Sequence, residues 1–225
     1  MSLFHVQEWY NNIISGARSM AIAQLVDYRD QLVIGSLEGL LTVLDPGRDL
    51  EHRQEMSVIV EQQLGKSILQ VSIGNSWETT IRVSGEGDCK CRKLNYLVLI
   101  AALLPRSLLY FRLLSNEEES YRLEQIFEHK LPGEIAYNMC QGHFGRSHIT
   151  QICVQSINGS LWVFDGENRA LHRRINDCLH PGPIEYTTFS ESMLLTSGGY
   201  LSSIRYNMLT TTTGAGGPTK KLNVG

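Results

Sequence analysis

The sequence is short of most features that would announce a chemistry. It has no long hydrophobic run: the longest, Tyr96 to Pro105, is YLVLIAALLP, far below the roughly 20 residues of a membrane span. No secretory leader is expected from the opening MSLFHVQEWYNN, which turns polar by residue 5. It has few cysteines, five in 225 residues, at 89, 91, 140, 153 and 178. An odd number at scattered spacing is not a secreted disulfide framework. These three shortages predict a cytoplasmic chain.

A surplus of positive charge is also missing. Twenty Lys plus Arg stand against 23 Asp plus Glu, a net charge of −3. A nucleic-acid binder would carry a basic excess, so no nucleic-acid partner is expected. The one basic cluster, Lys90, Arg92 and Lys93, supplies little affinity at physiological salt. Cys89-Lys90-Cys91 would be half a metal site, but no second Cys or His pair gives zinc spacing. His143 and His148 flank a turn with no third ligand close in sequence. Ser147-His148 lacks a nucleophile elbow and an organised acid. The glycines Gly35, Gly39, Gly142 and Gly145 do not match a phosphate loop and read as turn residues. The acidic run Glu117-Glu118-Glu119 reads as a solvated loop. No catalytic, cofactor or metal site is predicted.

What the sequence does have is a 42% hydrophobic content, enough for a core, and a period-two pattern. Phe4 to Ser15 fits a short amphipathic helix or cap. After it, β-branched runs alternate with Gly, Asn, Pro and Asp, the pattern of an all-β fold. Four segments repeat the form strand, tight turn, strand: 32–45, 96–113, 152–165 and 193–208. The first and third align without a gap, placing Gly39 on Gly159 and Asp45 on Asp165. Both glycines suit a hairpin turn needing positive φ. An inner strand precedes each hairpin (21–28, 68–73, 135–140, 184–189), and a more polar strand follows the first three (58–62, 123–129, 170–175).

Four strands per unit predict a β-propeller. The turns near 39, 106, 159 and 199 are about 40 to 67 residues apart, against roughly 40 to 45 for a WD40 blade. No unit ends in Trp-Asp, since Val163 follows Trp162. The expected domain is therefore 1–225, an all-β propeller of about four blades, with 210–221 as a flexible linker. Leu222 to Gly225 would begin a further unit. Cys140, Cys153 and Trp162 lie at core positions of the pattern.

The residues also carry a resemblance. Met1-Ser2-Leu3-Phe4 with Trp9, then Ile34-Gly35-Ser36 with Gly39, resembles the Bardet–Biedl syndrome protein 9 family, also called parathyroid-hormone-responsive protein. The fuller match runs from Tyr137 to Pro183. It takes in Asn138-Met139, Gly142, Phe144-Gly145, Ile152 to Ser156, Gly159, Val163-Phe164 and Leu179 to Pro183, with Glu128-His129 upstream. Cys89 and Cys91 have no counterpart in it.

The resemblance implies a seven-bladed N-terminal propeller in a much longer protein. It implies a non-enzymatic subunit of the BBSome, a coat-like complex that moves membrane proteins through cilia and flagella. Partners would be other BBSome subunits. The membrane would be reached only indirectly, through the assembled complex and its small Arf-like GTPase. The expected location is the cytoplasm, the cilium or flagellum and its base. Trp77, His143, Phe144 and Arg146 are the candidate partner contacts, and Gly39, Gly142, Gly145 and Gly159 the structural turns. The competing reading is a propeller of another complex that binds a ligand or peptide in its channel. That would need clustered polar residues on the inner strands, which read as largely apolar or neutral.

Overall fold

The structure is a computed structural model that describes residues 15–26, 29–46, 57–75, 98–115, 120–175, 181–211 and 220–223. The expected N-terminal helix, Trp9, Trp77, Cys89, Cys91, Cys178 and the 117–119 acidic run lie outside the described residues.

Among the described residues sixteen strands form four antiparallel sheets, each a simple meander of four. Blade one is β1 (Ala17–Val26), β2 (Arg29–Ser36), β3 (Leu40–Asp45) and β4 (Ser57–Gln63). Blade two is β5 (Gln70–Asn75), β6 (Val98–Leu104), β7 (Ser107–Ser115) and β8 (Tyr121–Lys130). Blade three is β9 (Ala136–Gly142), β10 (Gln151–Ser156), β11 (Ser160–Asp165) and β12 (Asn168–Arg174). Blade four is β13 (Pro181–Thr187), β14 (Ser192–Ser197), β15 (Tyr200–Arg205) and β16 (Lys220–Asn223). A five-residue helix, α1 (Tyr206–Thr210), follows β15.

The alternation of side chains decides where the core lies. In β6, Leu99, Ala101 and Leu103 face blade three, while Ile100, Ala102 and Leu104 face blade one. The interior strands of blade two are thus apolar on both sides, and the buried core of the described residues consists of three clusters between consecutive blades. Outer strands have one neighbour fewer, so β12 reads Asn-Arg-Ala-Leu-His-Arg-Arg and is largely exposed.

The hairpins of blades one and three are built alike. Gly39 has φ 87° and Gly159 φ 83°. The hydroxyls of Ser36 and Ser156 accept from the backbone N–H groups of Leu40 and Ser160. Blade four turns on Gly198 and Gly199, φ 54° and 83°, a pair that suits a two-residue hairpin.

Two expectations need correction. Lys220 and Lys221 belong not to a linker but to β16, which pairs with β15 (Leu201 opposite Leu222). Residues 222 and 223 therefore finish blade four rather than open a fifth unit. Gly35 and Gly142 are strand residues, not turns. A Cβ on Gly142 would lie 2.8 Å from the Tyr186 ring and 3.0 Å from that of Phe144, and one on Gly35 would lie 2.6 Å from Ile68 Cγ2. Close packing, not conformation, requires glycine at both.

Candidate functional site

The inner strands are where a propeller enzyme or ligand binder would gather its polar groups. Here those groups are used between blades. Gln70 of β5 donates from Nε2 to Met139 O at 2.9 Å and accepts from Met139 N–H at 2.8 Å. Ser72 donates to Gln141 at 2.8 Å. Asn138 of β9 donates to Gly182 O at 2.7 Å, tying blade three to blade four. Val71 N–H donates to the Ser19 hydroxyl at 3.0 Å, tying blade one to blade two. Gln70, Asn138 and Ser19 each complete a backbone group of an inner strand on the side that has no strand beside it, whereas Ser72 and Gln141 pair side chain to side chain. A cleft of about 620 Å³ remains between the inner strands, lined by Ala21, Gln24, Asp30, Val71, Ser72 and Gln141 among others. Among the described residues no three His, Cys, Asp or Glu side chains are grouped to hold a metal ion.

An aromatic ladder joins blades two and three. Tyr110 packs on Phe127 at 4.4 Å, and His129 stacks on Phe164 at 4.2 Å. Trp162 stacks on His172 at 3.7 Å, with Arg169 5.4 Å from its ring centroid. His129 Nε2 donates to Gly166 O at 2.5 Å. Burial among the rings holds the His129 pKa below the usual imidazole range, against the pull of that carbonyl and of Glu167. Glu134 accepts from Trp162 Nε1 at 2.6 Å. Burial works to raise the Glu134 pKa. The hydrogen bonds of Trp162, Ser160, Ser156 and Asn158 outweigh it and hold the carboxyl below its usual range. Trp162 therefore packs in the core, as its alternation predicts, and is 2% exposed.

Cys140 and Cys153 face each other across β9 and β10 as free, buried thiols. The hydrogen bond with Cys153, then burial, pushes the Cys140 pKa up. Cys140 is held protonated, which leaves it inert as a nucleophile.

The sequence-selected contact turn divides. His143 and Arg146 are exposed, at the ends of the one-turn segment Phe144–Arg146. Phe144 is not available to a partner: it is 2% exposed, edge-on to Tyr186 at 4.7 Å and beside Tyr206 at 5.7 Å. Gly145 has φ 61°, and a Cβ there would lie 2.9 Å from the Tyr206 ring. Arg146, φ 64°, reaches Glu191 of the next blade with Nε–Oε1 2.5 Å. Glu191 is itself left-handed, φ 50°. Sequence reasoning missed Gln70, Asn138 and Glu134, whose partners are far along the chain. It also missed Phe189, a fully exposed ring beside Glu191.

The architecture defines a β-propeller of four-stranded blades. The chain belongs to the PTHB1 N-terminal family, whose model matches residues 1–223. The protein pthb1 homolog of Caenorhabditis elegans is 28% identical over 226 residues, 99% of this chain and 27% of its own length. Protein PTHB1 of Homo sapiens is 27% identical over 232 residues, 96% of this chain and 24% of its own. The chain thus spans about a quarter of the length of these relatives. Among solved structures, the crystal structure of BBS1N in complex with ARL6DN, soaked with lead, superposes with a TM-score of 0.52 at 11% identity. That match covers 86% of this chain and 52% of the other, and it agrees in fold.

Proposed function

We propose that the chain is the propeller portion of a BBSome subunit, a non-enzymatic scaffold for ciliary or flagellar membrane-protein trafficking. It works through protein–protein contacts in the cytoplasm, at the cilium or flagellum and at its base. Membership of the PTHB1 N-terminal family carries this reading. The use of Gln70, Ser72 and Asn138 in blade-to-blade bonds supports it, since these inner-strand polar groups serve the assembly of the blades. The BBS1 propeller, similar in fold, was solved with ARL6DN. That likeness supports contact with membranes through the assembled complex and a small Arf-like GTPase rather than through this domain.

The test is affinity capture of the tagged full-length protein from ciliated or flagellated cells. Stoichiometric recovery of other BBSome subunits is expected. Their absence from a well-folded, abundant bait would overturn the reading.

A further inference from the structure

Phe189 is the most exposed large apolar residue among the described ones, with 101% of its surface in solvent. It lies at the tip of the turn between β13 and β14. Such a ring is costly to leave in water, and an exposed tip with no job would favour a polar residue. The turn beneath it is held from several sides. Glu191 N–H donates to Thr188 O at 3.4 Å, and Tyr206 N–H donates to Glu191 O at 2.8 Å. The Ser192 hydroxyl donates to Ser190 O at 2.9 Å. Arg146 reaches across from blade three to the Glu191 carboxylate. Arg146 and Glu191 are the only described non-glycine residues with positive φ, and they are joined to each other. Left-handed backbone at such residues persists where the surroundings enforce it, and it gathers at functional sites.

We infer that Phe189, presented on the Arg146–Glu191 clamp, is an anchor that inserts into an apolar socket on an adjoining protein subunit. The fixed turn has lost its freedom before binding, which is what makes one aromatic effective as an anchor. The Arg146–Glu191 pair of the same turn region is charge-neutral. That favours a protein socket over an anionic bilayer, which would call for unpaired cations.

The inference rests on the scaffold reading. The experiment co-expresses the full-length protein with the other BBSome subunits of the same organism and measures its affinity for that assembly. Phe189→Ala should weaken association by about 30-fold or more, and Phe189→Trp should retain most of it. Val58→Ala, at a site 56% exposed on β4, should change nothing. The melting temperature of the isolated Phe189→Ala protein should match wild type. If wild type joins no assembly, the scaffold reading falls and the inference with it. If wild type joins and Phe189→Ala joins as tightly, the inference alone falls. A marked loss of stability in Phe189→Ala would show that the chain's own remainder covers the ring. Phe189-dependent sedimentation with phosphatidylcholine–phosphatidylserine vesicles would show that a bilayer does. Either result overturns the protein socket.

Discussion

Gln70 makes both of its hydrogen bonds to one residue of the neighbouring blade, the N–H and C=O of Met139. Met139 is 3% exposed and pairs with Val154 on its other side, so its axis-facing backbone groups have no other strand to bond. Replacing Gln70 with Leu removes two bonds worth about 1 kcal/mol each and strands two buried groups, at about 1–3 kcal/mol apiece where water cannot reach them. The cleft beside the inner strands lets some water in, so a loss of about 2–4 kcal/mol is expected. For a domain of this size that lowers the melting temperature by roughly 5–12 °C.

Gln70→Glu gives the sharper test. An ionised carboxylate can still accept from Met139 N–H, but it sets a second oxygen against Met139 O. Protonation turns that oxygen into a donor and restores the pair. The Gln70→Glu variant should therefore be as damaged as Gln70→Leu at pH 7 and recover towards wild type near pH 4.5, each compared at equal pH. Thermal melts followed by circular dichroism read both quantities. A Gln70→Leu protein within 1 °C of wild type, or two variants that track each other across pH, would refute the account of Gln70 as a backbone surrogate.

Two further outcomes are expected. Gly39→Ala forces positive φ on alanine and places its Cβ 2.6 Å from Lys66 O, whereas Gly65→Ala, φ 68°, meets nothing within 4 Å. Urea titration should show a loss of about 3 kcal/mol for the first and about 1 kcal/mol for the second; equal losses would remove the steric argument. His129 has a folded-state pKa below its unfolded value of 6.5, so the unfolded chain binds more protons in the interval between them. Its contribution to stability is present above pH 6.5 and is lost as pH falls through the folded pKa. His129→Phe keeps the stack on Phe164 without titrating, so its melting temperature should fall less between pH 7 and 5; an unchanged slope would remove His129 as the cause.

The four-strand repeat was legible because its signals are local. Gly39 and Gly159 mark turns within a few residues of the strands they join, and strand alternation has a period of two. Outer strands were legible from polarity alone, as in Asn168–Arg174. The stitches were not, because a glutamine among apolar residues looks neutral until a residue 69 positions later supplies its partner. Gly142 and Gly145 look alike in sequence. One is required by the Tyr186 ring and the other also by its φ, and only the fold separates these reasons. Phe144 looked exposed because its turn is polar, yet Tyr186 and Tyr206 arrive from blade four to bury it. β16 was missed because four residues with two lysines show no alternation.

The same long-range dependence explains how the blades hold one another in place. No blade buries its faces alone; each apolar cluster is shared by two neighbours. Stability is then close to a sum of nearest-neighbour interfaces, and the side-chain stitches fix the spacing of those interfaces at the axis. The turn between β13 and β14 inherits its position from that chain of contacts. Phe189 is placed by Glu191, Glu191 by Arg146, and Arg146 by the Phe144 ring packed between blades three and four. Weakening the Phe144 contacts should therefore blunt recognition at Phe189 without touching it, whereas cutting Gln70, one interface away, should cost stability first.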